Sequence, residues 1–279
     1  MFREKIHVFL HKHKNIRRFI LQVYYVYKYF KYCFWRNTLF KIKMFGRTYG
    51  IFECKNFSKI KKFKNLYDGQ TCFIVGTGPS LTVEDLEKIK SYPSFSMNSI
   101  VLSFAQTTWR PTFYAIQDNY ATKMLIGKCD YYNLLKNCIV LRGISTQKQT
   151  PNMQVKTIDF PLYVFNHDIE VNQHYTRFSP DVYKLVYDGY TITYSIMQIA
   201  CYMGFKKIVL LGVDCNYAGP KKHFINYTDA NNGNAAYLMR ESYKIAKEYC
   251  DKHDIKILNA TRNAKLDIFE RSDLDAFLK

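Results

Sequence analysis

Acidic residues are nearly missing from the first 64 positions. Glu4 and Glu53 stand there against 17 Lys and Arg, whereas the remaining 215 residues hold 24 bases and 21 acids. The overall charge of +18 therefore belongs to one end of the chain, and the rest is close to neutral. No CxxC pair occurs among the eight cysteines. That excludes the usual zinc spacing and a disulfide framework, and it points to a reducing compartment. Cys201 and Cys250 fall in helix-like runs, where a thiol acts as a small buried hydrophobe. No small-residue cleavage site follows the apolar stretch near the N-terminus, which speaks against a signal peptide. Internal repeats and low-complexity linkers are absent too.

What is present is a chain of 279 residues, 48% of them hydrophobic, enough for a sizeable core and too apolar for wholesale disorder. The segment IRRFILQVYYVYKYFKYCFW reads as a helix. At 100° per residue, Phe19, Val23, Val26, Phe30, Cys33 and Phe34 share one half of it, and Trp35 adds a further aromatic. Arg17, Arg18, Gln22, Lys28, Lys31 and Arg36 take the other half, with Tyr24, Tyr25, Tyr29 and Tyr32 among them. An apolar face, a cationic face and amphipathic tyrosines suit a helix lying in a membrane interface. Lys28 and Lys31 interrupt the apolar run, against a spanning helix. Packing on the rest of the chain, or on a second copy in a homo-oligomer, is the competing reading. Nucleic acid is disfavoured, because the aromatics alternate with aliphatics instead of marking an RNA-binding sheet.

From Thr71 onward, TCFIVG, SFSMNSI, PTFYAIQD, CIVLRG, KIVLLGVD and IKILNAT each predict a buried strand. TVEDLEKIK, ITYSIMQIACYMG and NAAYLMRESYKIAKEYCDKHD predict helices; the second stops at Gly204. Strands alternating with helices imply an α/β, Rossmann-like, doubly wound and mostly parallel sheet. The expected organisation is a basic extension over 1–64 and a nucleotide-binding domain over 65–279. The polar, aromatic stretch 142–190 is a candidate lid.

Ligands of doubly wound sheets bind beyond the carboxyl ends of the strands. Three such ends carry unusual polar residues: Gly76-Thr77-Gly78-Pro79-Ser80, Asn98, and the run from Gly212 through Asp214 to Tyr217. The glycines would let backbone N–H groups approach an anion at a helix start. The dinucleotide fingerprint is incomplete, however. Leu81 stands where a third glycine belongs, and Asn98 stands near the place of the ribose-binding acid. A GxxxxGK[ST] phosphate loop is also missing.

IVGTGPSL, then FSMNSI, then TITYSIMQIACYMGFKKIVLLGVDCNY together resemble two related groups. One is the family-42 sialyltransferases of bacterial surface polysaccharide synthesis, which use a CMP-activated sugar. The other is the 6-hydroxymethylpterin diphosphokinase MptE-like domain. The resemblance spans roughly 70–265 and leaves the N-terminal extension outside. It implies a GT-A-like variant of the fold, with Thr77, Gly78, Pro79, Ser80 and Asn98 against a cytidine nucleotide. It further implies that Thr191, Ile192 and Thr193 face that nucleotide and that Tyr217 holds its phosphate. The sialyltransferases carry a general-base histidine shortly before their penultimate helix. The corresponding stretch near Asn234–Leu238 has none, and the nearest is His223, beside Lys221 and Lys222. An imidazole there would deprotonate an acceptor hydroxyl; a plain surface histidine is the alternative.

Asp118 and Asp214 stand at predicted strand ends. Asp118 is a catalytic candidate that would contact the acceptor, or else a turn amide; Asp214 would line the nucleotide, or else cap its own loop. In an ATP-dependent enzyme either would bind Mg²⁺; the sialyltransferase reading needs no metal and no tightly bound cofactor. The expectation is a glycosyltransferase of bacterial surface glycan synthesis. It would sit in the cytoplasm on the inner, anionic face of the membrane and act on a lipid-linked or glycan acceptor. A pyrophosphokinase using ATP and Mg²⁺, or a non-catalytic nucleotide-binding scaffold, are the alternatives.

Overall fold

A computed structural model of the chain describes residues 13–51, 55–151, 153–165, 176–215 and 234–278. The chain forms two compact units, Met1–Phe52 with Val164–Tyr175, and Glu53–Tyr163 with Thr176–Lys279.

In the first unit, helix α1 (Lys14–Lys28) runs through a π-helical turn (Tyr29–Cys33) into α2 (Phe34–Thr48). Asn37 Nδ2 donates to the Tyr29 hydroxyl at 2.9 Å across that turn. A π turn takes in one extra residue, so everything after it is rotated by about 100° relative to an unbroken α-helix. The helical wheel drawn from the sequence therefore holds only up to Phe30. Cys33 is buried and Phe34 half-buried, while Trp35 is 74% exposed. Among the described residues no helix is long and apolar enough to cross a membrane.

The second unit is built on a parallel sheet of eight strands. They are β1 (Thr71–Val75), β2 (Ser94–Met97), β3 (Phe113–Ile116), β4 (Ile139–Gly143), β5 (Thr157–Phe160), β8 (Lys207–Leu211), β9 (Lys256–Asn259) and β10 (Glu270–Arg271). β6 (Leu162–Tyr163) and β7 (Val186–Tyr187) form a separate small parallel pair. All six predicted strands are present. β5, β6, β7 and β10 are too short or too polar to show a strand pattern.

The helices are α3 (Lys55–Ser58), α4 (Val83–Lys88), α5 (Asn119–Ile126), α6 (Tyr131–Leu134), α7 (Ile192–Tyr202), α8 (Asn234–Lys252) and α9 (Leu274–Phe277). The central strands are buried along their whole length, as parallel strands covered on both faces must be. α7 packs across β1, β2 and β3, and α8 packs on α7 and β9. The nearly all-apolar sequence of α7 follows from that position: ten of its eleven residues are buried.

The strand order is β10-β9-β8-β1-β2-β3-β4-β5. From β1 the chain steps outward to β5, then crosses back through α7 to β8 on the other side of β1. The order thus reverses between β1 and β8, and the crevice beyond their carboxyl ends is where such sheets bind ligands.

Candidate functional site at the sheet switch point

The two loops that flank this reversal touch. Gly76 N–H donates to Leu211 O at 2.7 Å, and Gly78 N–H to Gly212 O at 2.8 Å. A Cβ on Gly76 would lie 2.4 Å from Gly212 O, and one on Gly78 would lie 1.8 Å from Asp214 Oδ2. The glycines are thus needed for this close approach. Their N–H groups are committed to the neighbouring loop and do not face outward as an anion cradle, which differs from what the turn alone implied.

Asp214 fills the mouth of the turn. Its Oδ2 accepts the Ser80 hydroxyl at 2.8 Å. Burial pushes its carboxyl above the ordinary value of 3.8, and the Ser80 hydroxyl and backbone N–H partly offset that. The loop is pinned from behind: Val213 N–H donates to Thr261 Oγ1 at 3.0 Å, and Lys265 N–H to Asp214 O at 3.3 Å. On the other flank, Arg262 reaches both carboxylate oxygens of buried Asp85 at 2.6 and 2.5 Å, and Ser80 O at 3.4 Å. Asp85 also closes the capping box of α4 with Thr82. Arg262 therefore fixes the start of α4 against the loop after β9.

Other polar groups at this end have no partner among the described residues. Thr77 is half-buried, and neither its N–H nor its hydroxyl is hydrogen-bonded. Asn98 sits in the left-handed region at φ 47°; its backbone O accepts from the Tyr114 hydroxyl at 2.6 Å, and its side-chain amide is open. The strand register pairs Val75 with Ser96. Thr77 and Asn98 both follow the carboxyl ends of these paired strands. Thr193 Oγ1 contacts Met97 Sδ at 3.4 Å, which brings the start of α7 next to Asn98. Thr191 caps that helix by accepting from Thr193 N–H, and Ile192 is buried. Pro79 is half-buried in the same turn.

Asp118 lies at the carboxyl end of β3, where it is exposed and caps α5 by accepting Ala121 N–H at 2.6 Å. His223 and Tyr217 lie outside the described residues. Among the described residues no cluster of three or more His, Cys, Asp or Glu could hold a metal ion. Asp273 caps α9, and Asp275 pairs with Lys88 at 2.8 Å.

Two further residues carry no obvious motif. Gln117, just before Asp118, has a buried Oε1 with no partner. Gln198, in the middle of α7, is fully buried; its Oε1 accepts from Ser179 and Tyr187 N–H, and its Nε2 donates to Tyr187 O. A lone glutamine in an otherwise apolar helix was the visible signal for the second.

Residues 50–220 match the 6-hydroxymethylpterin diphosphokinase MptE-like family, well over half of the chain. The chain belongs to the MptE-like family. No curated protein matches the sequence. Among solved structures, this MptE-like chain is similar to the MAf glycosyltransferase from Magnetospirillum magneticum AMB-1. The TM-score is 0.53 at 16% identity, over 78% of this chain and 38% of that one. It therefore spans less than half the length of that protein. It is also similar to the sialyltransferase CstII from Campylobacter jejuni, solved with cytidine-5'-monophosphate, at 14% identity and a TM-score of 0.45. That match covers 74% of this chain and 86% of the other. The MptE-like chain thus has a Rossmann-type α/β fold that glycosyltransferases also use.

Proposed function

We propose that this protein binds a nucleotide-activated sugar, a CMP-sugar by preference, and transfers the sugar to an acceptor held at a membrane surface. The observation that carries the reading is the row of uncommitted neutral hydrogen-bonding groups at the switch point. Thr77 and Asn98 are open, and Thr193 stands beside Asn98, whereas the glycine N–H groups and the Asp214 carboxylate already have partners. An Asn amide offers both a donor and an acceptor, which suits the O2, N3 and amino edge of cytosine or a ribose hydroxyl. In this reading His223 takes the proton of the acceptor hydroxyl. The acceptor oxygen then bonds to the anomeric carbon, whose bond to the phosphate oxygen breaks, and CMP leaves. Asp118, at the same end of the sheet, is the candidate contact for the acceptor.

The family match favours a second reading, a pyrophosphokinase using ATP and Mg²⁺, in which Asp118 and Asp214 would be the metal-binding candidates. Thermal unfolding of the full chain in CMP, CDP, UDP, GDP, and ATP with Mg²⁺ separates the two. The first reading expects stabilisation by CMP or CDP without metal. Stabilisation by ATP–Mg²⁺ alone overturns it.

A further inference from the structure

The π-helical turn joins two apolar stripes that an unbroken helix would keep apart. Before it, Phe19, Val23, Val26 and Phe30 repeat at spacings of four, three and four residues, and each is more than half exposed. After it, Trp35, Leu39, Ile42 and Phe45 repeat at spacings of four, three and three residues and are likewise more than half exposed. In a continuous α-helix the second set would be turned by about 100° away from the first. The extra residue absorbed between Tyr29 and Cys33 cancels that rotation. Both sets then fall within about 120° of arc, on a rod about 50 Å long.

The remainder of the rod carries only one sign of charge. Between positions 5 and 52 there is no Asp or Glu. Lys14, Arg17, Arg18, Lys28, Lys31 and Arg36 are all exposed, as are Lys41 and Lys43. On the same projection they border or oppose the apolar face. Lys28 and Lys31 lie over the rings of Tyr24 and Tyr27 at 5.4 and 5.5 Å, so the amphipathic tyrosines stand between cations and stripe.

We infer that this spliced face is a single docking surface for an anionic lipid bilayer. It would lie in the plane of the membrane, with the π turn setting the register of its two halves. A long apolar stripe edged by cations and free of acids matches acyl chains below and anionic headgroups beside it. A second copy of this chain would instead bring like charges together along the whole rod. The inference rests on the membrane-held acceptor of the reading above; its test does not depend on nucleotide binding, so either can fail alone.

The test is co-sedimentation of the full-length protein with vesicles of phosphatidylcholine and phosphatidylglycerol in equal parts, against vesicles of phosphatidylcholine alone. Wild type should pellet with the anionic vesicles and much less with the neutral ones. Val23→Glu and Ile42→Glu, one in each half, should each lower partitioning by about tenfold or more. Inserting one alanine after Tyr32 should do the same by turning the second stripe away by about 100°, whereas Tyr32→Ala keeps the register and should stay within about threefold. All these positions but the register itself are surface changes, so an unchanged thermal midpoint certifies folding. The chain has two tryptophans, and Trp109 is buried, so a blue shift of emission on lipid binding reports Trp35. Wild type that stays in the supernatant with anionic vesicles overturns the inference. So does wild-type partitioning by both glutamate variants, or wild-type binding after the alanine insertion. A lipid-free oligomer that Val23→Glu converts to monomer also overturns it, because a second copy then covers the face.

Discussion

Asp214 Oδ2 occupies the space beside residue 78, 1.8 Å from where a Cβ would stand, and accepts the Ser80 hydroxyl at 2.8 Å. The turn after β1 and the loop after β8 therefore fit directly against one another. Gly78→Ala should break that fit. Asp214 could swing away, but the same Cβ would also lie 2.6 Å from the backbone oxygen of Gly212. We expect a loss of about 2 kcal/mol or more in urea denaturation. A change below about 0.5 kcal/mol would show that the two loops separate without cost.

Asp214 also gives a pH signature. Burial raises its carboxyl above 3.8, so the folded state keeps this proton over a window in which the unfolded chain has lost it. Stability then falls as pH rises from about 4 to the raised value, and stays lower above it. Asp214→Asn retains an acceptor for the Ser80 hydroxyl and carries no charge to bury. Its unfolding free energy should be flatter than wild type across that window. Equal slopes for the two proteins would mean that Asp214 contributes nothing to the pH dependence.

The architecture was largely legible from residues alone, because buried parallel strands are uninterrupted apolar runs and each was followed by a turn signal. TCFIVG and KIVLLG became adjacent central strands for that reason. Edge strands such as Glu270–Arg271 are exposed and polar, so nothing in their side chains distinguishes them from loop. At the site, the sequence pointed to the right end of the sheet but not to the role of its parts. Gly76 and Gly78 looked like phosphate-binding glycines, and only the opposing loop, more than 130 residues away, reveals what their N–H groups face. The π turn was invisible for a related reason: a one-residue shift in register changes no residue type, only its direction.

Asn98 is the most direct test of the nucleotide site. Its φ of 47° is tolerated by Asn and Gly but strained for Ala. Asn98→Gly removes the amide without forcing the backbone, and its stability should stay within about 1 kcal/mol of wild type. Affinity for CMP, read by isothermal calorimetry, should fall about tenfold, the equivalent of one good hydrogen-bonding group. Undiminished affinity in a folded Asn98→Gly protein would remove Asn98 from the site.

Gln198 is the strongest structural dependency behind that site. From the buried centre of α7 its amide holds the backbone of Ser179 and Tyr187, in the stretch that leads to the Thr191 cap. Leucine has a similar volume and suits the apolar helix, so propensity and packing alone would call the substitution mild. The hydrogen bonds argue otherwise, since Gln198→Leu leaves two N–H groups and one carbonyl facing a hydrocarbon side chain. Each buried unsatisfied group costs about 1–3 kcal/mol, with part recovered where water enters. We expect a loss of about 3 kcal/mol, together with faster hydrogen exchange over residues 176–190. That local signature matters, because an overpacked core would lower stability without selectively exposing those amides. Exchange unchanged across 176–190 would show that the segment is held by something other than Gln198.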